Sequence, residues 1–335
     1  MSSEARLREL LQKFHGRKIA VLGDLMIDRY YWGSVRRVSP EAPVPVVEVE
    51  SESVRFGGAA NVANNIQALG GIPVLLGIIG DDHPGSLFTS MLREQGMGTG
   101  GVIVDADRPT TTKTRVIAAG QHVVRIDNES KQECSAVVSA KLVDAARAAI
   151  GSVDGIIIED YNKGAVTREV IHAVIAAARE RGKPVAVDPK FNNFFEFKKV
   201  TVFKPNRREV EEVVGGRVRS TAEIERVGRK LLRDLDAENI LLTRSEEGMS
   251  LFEANGTVTH YPTTAEVVQD VSGAGDTVIS TLTMALVAGA DIRESCMLAN
   301  CAGGVVVGSV GIIPILPDDL LRAALRAFRR NGSDA

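Results

Sequence analysis

Short apolar runs alternate with longer amphipathic stretches along most of this chain. The run at 18–23, Lys-Ile-Ala-Val-Leu-Gly, is followed by Asp, as expected of a strand buried on both faces. Strands that alternate with helices predict a mostly parallel sheet with helices on both of its faces. Further apolar runs lie at 74–79, 155–158, 184–187, 200–203 and 239–243. Helical spacing of apolar residues extends over 3–14, 58–69, 136–150, 167–181 and 221–235.

Two stretches interrupt this alternation. The segment 30–55 begins with Tyr-Tyr-Trp and also holds three prolines and a Val-Pro-Val-Val-Glu-Val-Glu run. The segment 110–127 holds two runs in which apolar and polar residues alternate, a pattern typical of half-exposed strands. We predict a small β-sheet, inserted into the α/β body at about 29–55 and 109–127, that forms a lid over a cleft. The alternative is that these two segments form edge strands of the main sheet.

Composition is that of an ordinary globular protein. The 335 residues show no low-complexity linker and no internal repeat, so a single domain over 1–335 is expected. Lysine and arginine (40) nearly balance aspartate and glutamate (43), so neither nucleic acid nor a membrane is an expected partner. There is no apolar window of about 18 residues and no signal peptide. The odd number of cysteines indicates a reducing compartment, the cytoplasm, and the scattered histidines argue against a zinc site.

The turn Gly273-Ala274-Gly275-Asp276 carries the strongest chemical signal, because it directly precedes a helical stretch. Such a turn leaves backbone N–H groups bare, and together with the helix dipole these groups form a cradle for an anion. Asp276 fits two roles: a helix N-cap, or a general base that takes the proton of an attacking hydroxyl during phosphoryl transfer. In the second role, the N–H groups of Ala274, Gly275 and Asp276 stabilise the charge of the transferring phosphoryl group.

Two other nucleotide-binding motifs are absent from the sequence. No G-x-x-x-x-G-K-S/T motif is present, which excludes a P-loop enzyme. The first predicted strand runs into Gly-Asp-Leu-Met-Ile-Asp at 23–28 instead of a G-x-G-x-x-G turn, which excludes a dinucleotide-binding dehydrogenase.

The segment 270–277, Asp-Val-Ser-Gly-Ala-Gly-Asp-Thr, resembles the C-terminal signature of the ribokinase, or PfkB, family of carbohydrate kinases. Gly-Gly-Ala-Ala-Asn-Val-Ala at 57–63 resembles the N-terminal signature, so the two matches together cover most of the chain. The resemblance implies an α/β fold of the ribokinase-like type, a three-layer α/β/α sandwich with a mostly parallel central sheet and an inserted lid. It also implies ATP and Mg²⁺ as cofactors and leaves a requirement for a monovalent cation open.

Further sequence motifs narrow the choice of substrate. Val-Ser-Pro-Glu-Ala-Pro-Val-Pro-Val at 38–46 is similar to heptose 7-phosphate kinases, as are motifs at 112–115, 125–127, 160–164 and 187–190. The resemblance implies phosphorylation of the anomeric hydroxyl of D-glycero-D-manno-heptose 7-phosphate, in the pathway to ADP-heptose and lipopolysaccharide core. Many such kinases are fused to a nucleotidyltransferase domain, and this chain is expected to be the stand-alone form. Another PfkB-family kinase, for ribose or a fructose phosphate, and an inactive nucleotide- or sugar-binding regulator remain alternatives.

The sugar-binding part of the cleft is expected at the end of the first strand, where ligands bind in open parallel sheets. The lid cations match a phosphorylated sugar if they face the cleft. Turn, packing and solvent-exposed roles are the alternatives for these residues. The candidate substrate residues are Asp24, Asp28, Gly57, Gly58, Asn61, Lys113, Arg115, Arg125, Lys163 and Lys190.

The nucleotide side is assigned by resemblance. Glu209 belongs to an Asn-x-x-Glu motif that organises Mg²⁺ and the phosphates through water, with a surface helix position as the alternative. Asn300 and Gly303 frame the adenine pocket or serve helix packing. The candidate nucleotide residues are Asn206, Glu209, Thr243, Gly248, Gly273, Gly275, Asn300 and Gly303. The resemblance also implies a homodimer that pairs through the lid strands.

Overall fold

The computed structural model describes residues 4–333, which fold around two separate sheets. The helices are α1 (Glu4–Phe14), α2 (Ala59–Ala68), α3 (His83–Glu94), α4 (Ala136–Ile150), α5 (Arg168–Glu180), α6 (Arg207–Val214), α7 (Thr221–Leu235), α8 (Ala274–Val287), α9 (Ile292–Val306) and α10 (Pro317–Ser333). The strands are β1 (Lys18–Gly23), β2 (Leu25–Val38), β3 (Pro45–Gly58), β4 (Ile72–Gly80), β5 (Val102–Asp105), β6 (Thr111–Ala118), β7 (Gln121–Asn128), β8 (Gly155–Glu159), β9 (Val185–Asp188), β10 (Val202–Phe203), β11 (Asn239–Thr243), β12 (Met249–Glu253) and β13 (Val258–Tyr261).

The central sheet has the strand order β13-β12-β11-β10-β9-β8-β1-β4-β5. Every neighbouring pair from β11 to β5 is parallel, and only β12 and β13 run antiparallel to their neighbours. The predicted mostly parallel sheet is therefore confirmed. The hairpin of β12 and β13 at its edge was not predicted.

Helices cover both faces of this sheet, as strand β1 shows. Its side chains point alternately to the two faces, as the pleat of a strand requires. Ala20 and Leu22 are buried in a core shared with α4, α5 and α7. Ile19 and Val21 are buried in a second core shared with α1, α2 and α8. The fold is thus the predicted three-layer α/β/α sandwich.

Strands β2, β3, β6 and β7 form a sheet of their own with the order β3-β2-β6-β7, at the place predicted for the lid, and we keep the name lid for this sheet. The alternative, edge strands of the main sheet, is therefore wrong. Only Asp24 separates β1 from β2, and β3 runs directly into α2 at Gly58 and Ala59. The lid thus begins at Leu25, earlier than predicted, and its strands β2 and β3 leave and rejoin the body at the end of β1. In the described part of the chain, no helix combines the length and apolarity needed to cross a membrane.

Candidate active site

Four adjacent parallel strands of the central sheet end side by side, and each ends at or next to a buried charged residue. The carboxyl ends of parallel strands form the edge at which open α/β sheets bind ligands. The four residues are Asp24 after β1, Glu159 at the end of β8, Asp188 at the end of β9 and Lys204 after β10.

Asp276 lies in the first turn of α8 and is buried. Its Oδ2 accepts a 2.6 Å hydrogen bond from Asn61 Nδ2, and its Oδ1 accepts a 3.0 Å hydrogen bond from the Tyr161 hydroxyl. The N-cap of α8 is Gly273, and no side chain caps this helix. The capping interpretation of Asp276 is therefore wrong. A carboxylate held by two fixed donors is oriented for chemistry instead.

Burial raises the pKa of the Asp276 carboxyl to about 6. The hydrogen bond from Asn61 opposes this rise, the charge of Asp188 adds to it, and Tyr161 and Lys204 oppose it. At neutral pH the group is ionised, yet it is a stronger base than an exposed aspartate. This combination suits a general base that works near pH 7.

Backbone donors lie next to Asp276 in the turn that precedes α8. Gly273 has a φ of 77°, in the left-handed region that favours glycine. Within residues 4–333, the amides of Gly275 and Asp276 donate to no backbone carbonyl, and the amide of Ala274 makes a long 3.3 Å bond to the Val271 carbonyl. Such amides at a helix N-terminus are suited to bind an anion, and we call them the anion cradle.

Lys204 lies under this turn. A Cβ added to Gly275 would stand 3.6 Å from Lys204 Nζ, and that ammonium is 2.7 Å from Asp188 Oδ2. Burial works against the charge, but the neighbouring carboxylates, with Asp188 first, outweigh it and raise the pKa of Lys204. The lysine therefore stays charged and places a buried cation at the anion cradle.

Glu159 completes a cluster of three buried carboxyl groups. One oxygen from each of Glu159, Asp188 and Asp276 lies within 4.8 Å of the other two. Burial, followed by the charges of Asp188 and Asp276, raises the pKa of Glu159 well above its usual range. Its Oε2 has no hydrogen-bond partner. Oxygen ligands arranged in this way suit a divalent cation such as Mg²⁺.

Asp24 organises the loop that follows β8. Its carboxylate accepts hydrogen bonds from the backbone amides of Tyr161 (2.8 Å), Lys163 (3.0 Å) and Ala165 (3.1 Å). Gly58, the N-cap of α2, packs against the Asp24 carbonyl. Asp24 thus holds Tyr161 in place against Asp276. A direct contact of Asp24 with the sugar stays a prediction.

The lid brings several predicted substrate residues to this edge. Asp28 on β2 and Arg115 on β6 form an ion pair. Gly57 lies against Asp28, and any larger residue at 57 would overlap the carboxylate. Lys113 on β6 places its ammonium 5.2 Å from the centroid of the Tyr161 ring. The lid and the loop after β8 therefore meet around Tyr161.

The remaining predicted substrate cations already have carboxylate partners. Arg125 is also exposed, which distinguishes it from the other two. The pairs are Arg125 with Asp127 (3.0 Å), Lys163 with Glu129 (2.8 Å), and Lys190 with Glu209.

The Asn-x-x-Glu motif forms a capping box at the start of α6. The Glu209 amide donates to Asn206 Oδ1 at 2.9 Å, and the Asn206 amide donates to Glu209 Oε2 at 2.8 Å. Oε1 of Glu209 pairs with Lys190, so both oxygens are engaged and the residue is buried. The surface interpretation of Glu209 is therefore wrong. Thr243 forms a β-bridge with Asn206, and Gly248 joins β11 to β12.

A cavity of about 320 Å³ is lined by the loop 261–267, α9 and α10. Asn300 lines it and donates from Nδ2 to the Pro262 carbonyl at 2.8 Å. Gly303 instead packs on α8, where an added Cβ would lie 3.0 Å from Val278. Its neighbour Gly304 lines the cavity. Of the two predicted adenine-pocket residues, the structure places only Asn300 at a cavity.

Sequence reasoning did not single out Glu159, Tyr161 or Lys204 as site residues. Each lies at, or within two residues of, the end of a strand in the central sheet. That position was the signal available in the sequence. It becomes informative only when the strand order shows which ends are neighbours.

Relatives of known sequence show the family of this chain. The pfkB family carbohydrate kinase model matches residues 17–319. The bifunctional protein HldE of Geobacter metallireducens is 43% identical over 323 residues, 96% of this chain and 66% of that protein. HldE of Geobacter sulfurreducens is 43% identical over 315 residues, 94% of this chain and 64% of that protein. The chain thus spans about two thirds of the length of these relatives.

Solved structures share the fold at low sequence identity. Arabidopsis thaliana ribokinase, complexed with ribose and ATP, has a TM-score of 0.72 at 18% identity and covers 92% of this chain and 99% of its own. Phosphofructokinase-2 from Escherichia coli, in complex with potassium, has a TM-score of 0.74 at 16% identity, over 94% of this chain and 100% of its own. The family match extends over nearly the whole of this fold, from which we conclude that the chain belongs to the pfkB family of carbohydrate kinases and is a sugar kinase.

Proposed function

We propose that this protein transfers the γ-phosphate of ATP to the anomeric hydroxyl of D-glycero-D-manno-heptose 7-phosphate, giving the 1,7-bisphosphate. The single observation that carries the chemistry is the buried Asp276 carboxylate, held by Asn61 and Tyr161 next to the anion cradle. The choice of sugar is supported by the HldE relatives, which suggest a heptose kinase in ADP-heptose synthesis.

In the proposed step, Asp276 takes the proton of the anomeric hydroxyl as that oxygen attacks the γ-phosphorus. A new P–O bond forms, the bond to the β,γ-bridging oxygen breaks, and its electron pair leaves on ADP. The amides of Gly275 and Asp276 donate to the oxygens of the transferring phosphoryl group, and Lys204 adds positive charge beneath them.

The carboxylates of Glu159 and Asp188 fit a Mg²⁺ ion, because Oε2 of Glu159 lacks any hydrogen-bond partner and both groups are oxygen donors. When bound, the ion neutralises the charge of the ATP phosphates. We propose an indirect role for Glu209. It holds Lys190 through its Oε1, and Lys190 also lies 5.3 Å from the centroid of the Tyr161 ring.

Lys113 is the proposed ligand of the sugar's own phosphate. Among the described residues, no carboxylate lies within ion-pair distance of its ammonium, whereas Arg115 is paired with Asp28. Burial lowers the pKa of Lys113, Asp28 opposes this, and the nearby charge of Lys163 adds to it. A partly buried cation without a partner gains more from a phosphate than an exposed one does.

Replacing Lys113 with Met is expected to raise KM for the heptose phosphate by about 10- to 100-fold, since a hydrogen bond to a charged group contributes about 1.5–3 kcal/mol. KM for ATP should stay within about two-fold. Initial-rate kinetics with each substrate varied in turn measure both. Arg36→Ala removes an exposed lid cation and is the matched control. An equal rise in both KM values would contradict the assignment.

The sugar itself is tested by a panel. Purified protein with Mg·ATP is offered heptose 7-phosphate, unphosphorylated heptose, ribose and fructose 6-phosphate, and ADP release is recorded. We expect the highest kcat/KM with heptose 7-phosphate. Turnover with ribose or fructose 6-phosphate alone would overturn the heptose assignment and leave the sugar kinase in place.

Tyr161→Phe tests how the hydrogen bond from Tyr161 affects the pKa of Asp276. Burial, followed by the charges of Asp276 and Glu159, raises the pKa of the Tyr161 hydroxyl well above its usual range, so it stays protonated and donates. This donation stabilises the ionised Asp276 and lowers its pKa. Its loss should raise that pKa, and because the base must be ionised, the acid limb of kcat/KM near pH 6 should move upward. At pH 6 we expect a fall of about three- to ten-fold. An unmoved limb would contradict the contact.

We also propose a homodimer that pairs through the lid. On β7, Val124 and Ile126 are 47% and 56% exposed on the strand face opposite to Arg125. Exposed apolar residues on a sheet face are suited to burial against a second copy. Sedimentation equilibrium measures the mass directly.

A further inference from the structure

Arg55 connects the lid to a loop outside it. The residue lies on β3, opposite Asp28 of β2. Its Nη1 donates a 2.9 Å hydrogen bond to the carbonyl of Ile312, in the bridging loop, residues 307–316, that joins α9 to α10. Its guanidinium lies 5.4 Å from the centroid of the Tyr30 ring, and that of Arg115 lies 5.3 Å from the same centroid. Arg55 is thus tied to the sugar side of the lid.

The bridging loop in turn contacts the turn that precedes α8 at two points. Ile312 packs on Gly273, where an added Cβ would lie 3.3 Å from Ile312 Cγ2. The amide of Gly311 donates to Asp270 Oδ2 at 2.9 Å, and Asp270 Oδ1 accepts from the amide of Ser272 at 2.9 Å. Any shift of the bridging loop therefore reaches the anion cradle directly.

We propose that Arg55 is a positioning residue that couples sugar binding under the lid to the shape of the anion cradle. The inference rests on the proposed function and adds to it how sugar binding under the lid acts on the anion cradle. A sugar phosphate bound by Lys113 holds the lid sheet, and Arg55 then fixes the bridging loop through Ile312. Bound sugar thereby holds the cradle more firmly, which favours transfer of the γ-phosphate to the sugar over transfer to water.

Arg55→Ala is expected to remove this coupling. Calorimetry measures the affinity for the Mg²⁺ complex of a non-hydrolysable ATP analogue, with and without heptose 7-phosphate. Coupling between two sites commonly amounts to about 5- to 150-fold in affinity. We expect at least about five-fold for the wild type and a ratio within about two-fold of one for Arg55→Ala. A wild-type ratio near one, or an unchanged ratio in the variant, would overturn the proposal.

Two lid variants test whether the loss of coupling results from losing the contact between Arg55 and Ile312. Arg29→Ala removes a neighbouring lid arginine that pairs with Glu52, and it should keep the wild-type ratio. Arg55→Lys retains a donor for the Ile312 carbonyl, and it should restore part of the coupling. Equal loss in Arg29→Ala would assign the effect to lid stability and sink the specific role of Arg55.

Gly311 offers an independent test from the other side of the contact. Its φ is 79°, and an added Cβ would lie 2.6 Å from Arg55 Nη1. Gly256 has a φ of 88° with no atom within 4 Å of the corresponding Cβ. Alanine at either position carries similar backbone strain, but only Gly311→Ala displaces Arg55. We expect kcat to fall about ten-fold more in Gly311→Ala than in Gly256→Ala, and equal values would contradict the proposal.

A readout without ligands separates this inference from the choice of sugar. In the free protein, Arg55→Ala should speed hydrogen exchange at the amides of Gly311 and Ser272, and Arg29→Ala should not. Unchanged exchange overturns the coupling even if the heptose assignment holds. A failed sugar panel with faster exchange overturns the heptose assignment and leaves the role of Arg55 standing.

Discussion

Asp276→Asn is expected to lower kcat by about 10³-fold, the usual contribution of a general base. The fold should survive, because the new amide can still accept from Asn61 and can donate to the Tyr161 hydroxyl, which is able to reverse its role. Affinity for ATP should therefore stay close to that of the wild type. Steady-state kinetics and calorimetry with a non-hydrolysable ATP analogue measure the two quantities.

Two outcomes decide this prediction. A variant that keeps more than about a tenth of the wild-type kcat would remove Asp276 from the role of base. A variant that loses both turnover and nucleotide binding would indicate damage to the turn. Gly256→Ala, which lies on a remote turn with open space around it, provides the control for preparation and stability.

Lys204→Met is expected to lower the free energy of unfolding by about 3–5 kcal/mol, the usual result of removing one member of a buried ion pair. The change leaves Asp188 buried beside Glu159 and Asp276 without its ion-pair partner. It also removes the cation beneath the anion cradle, so kcat should fall by about 10²-fold or more. Urea unfolding and initial-rate kinetics measure the two effects.

The double variant Asp188→Asn, Lys204→Met separates charge from packing. A neutral pair of similar volume should regain most of the lost stability, since neither position then leaves a buried charge without its partner. Its kcat should stay low, because neither the cation nor the second carboxylate is present. If the double variant were as unstable as Lys204→Met alone, packing of the lysine stem would explain the loss.

Local pattern was sufficient for much of the scaffold. Helices α4 and α7 begin and end at the predicted residues, Ala136–Ile150 and Thr221–Leu235. A serine directly precedes each and caps its first turn, so the start signal and the apolar period agree. The same local logic placed Asp276 in a glycine turn at a helix start. The hairpin of β12 and β13 was missed, because short strands carry a weaker periodic signal than helices do.

The functional side chains could be named in part, but their pairing could not. Sequence reasoning grouped Lys113, Arg115 and Arg125 as lid cations and favoured the two arginines over Lys113 as substrate ligands. In the fold, Arg115 meets Asp28, Arg125 is exposed beside Asp127, and Lys113 has no ion-pair partner among the described residues. The difference depends on which strands pair and in which register, and that is set by contacts far apart in the chain.

The sequence by itself determined the fold class, the family and the position of Asp276 in a glycine turn at a helix start, because strand and helix periods and the glycine turn are local properties. Membership of the family and the three-layer fold are confirmed. Only the tertiary structure decided that Tyr161 and Asn61 hold Asp276, that Lys204 lies beneath the cradle, and that Arg55 reaches the bridging loop. These residues are brought together by the adjacency of β1, β8, β9 and β10 and by the return of the lid onto α2. Such adjacency is the product of long-range packing, and no stretch of sequence read alone contains it.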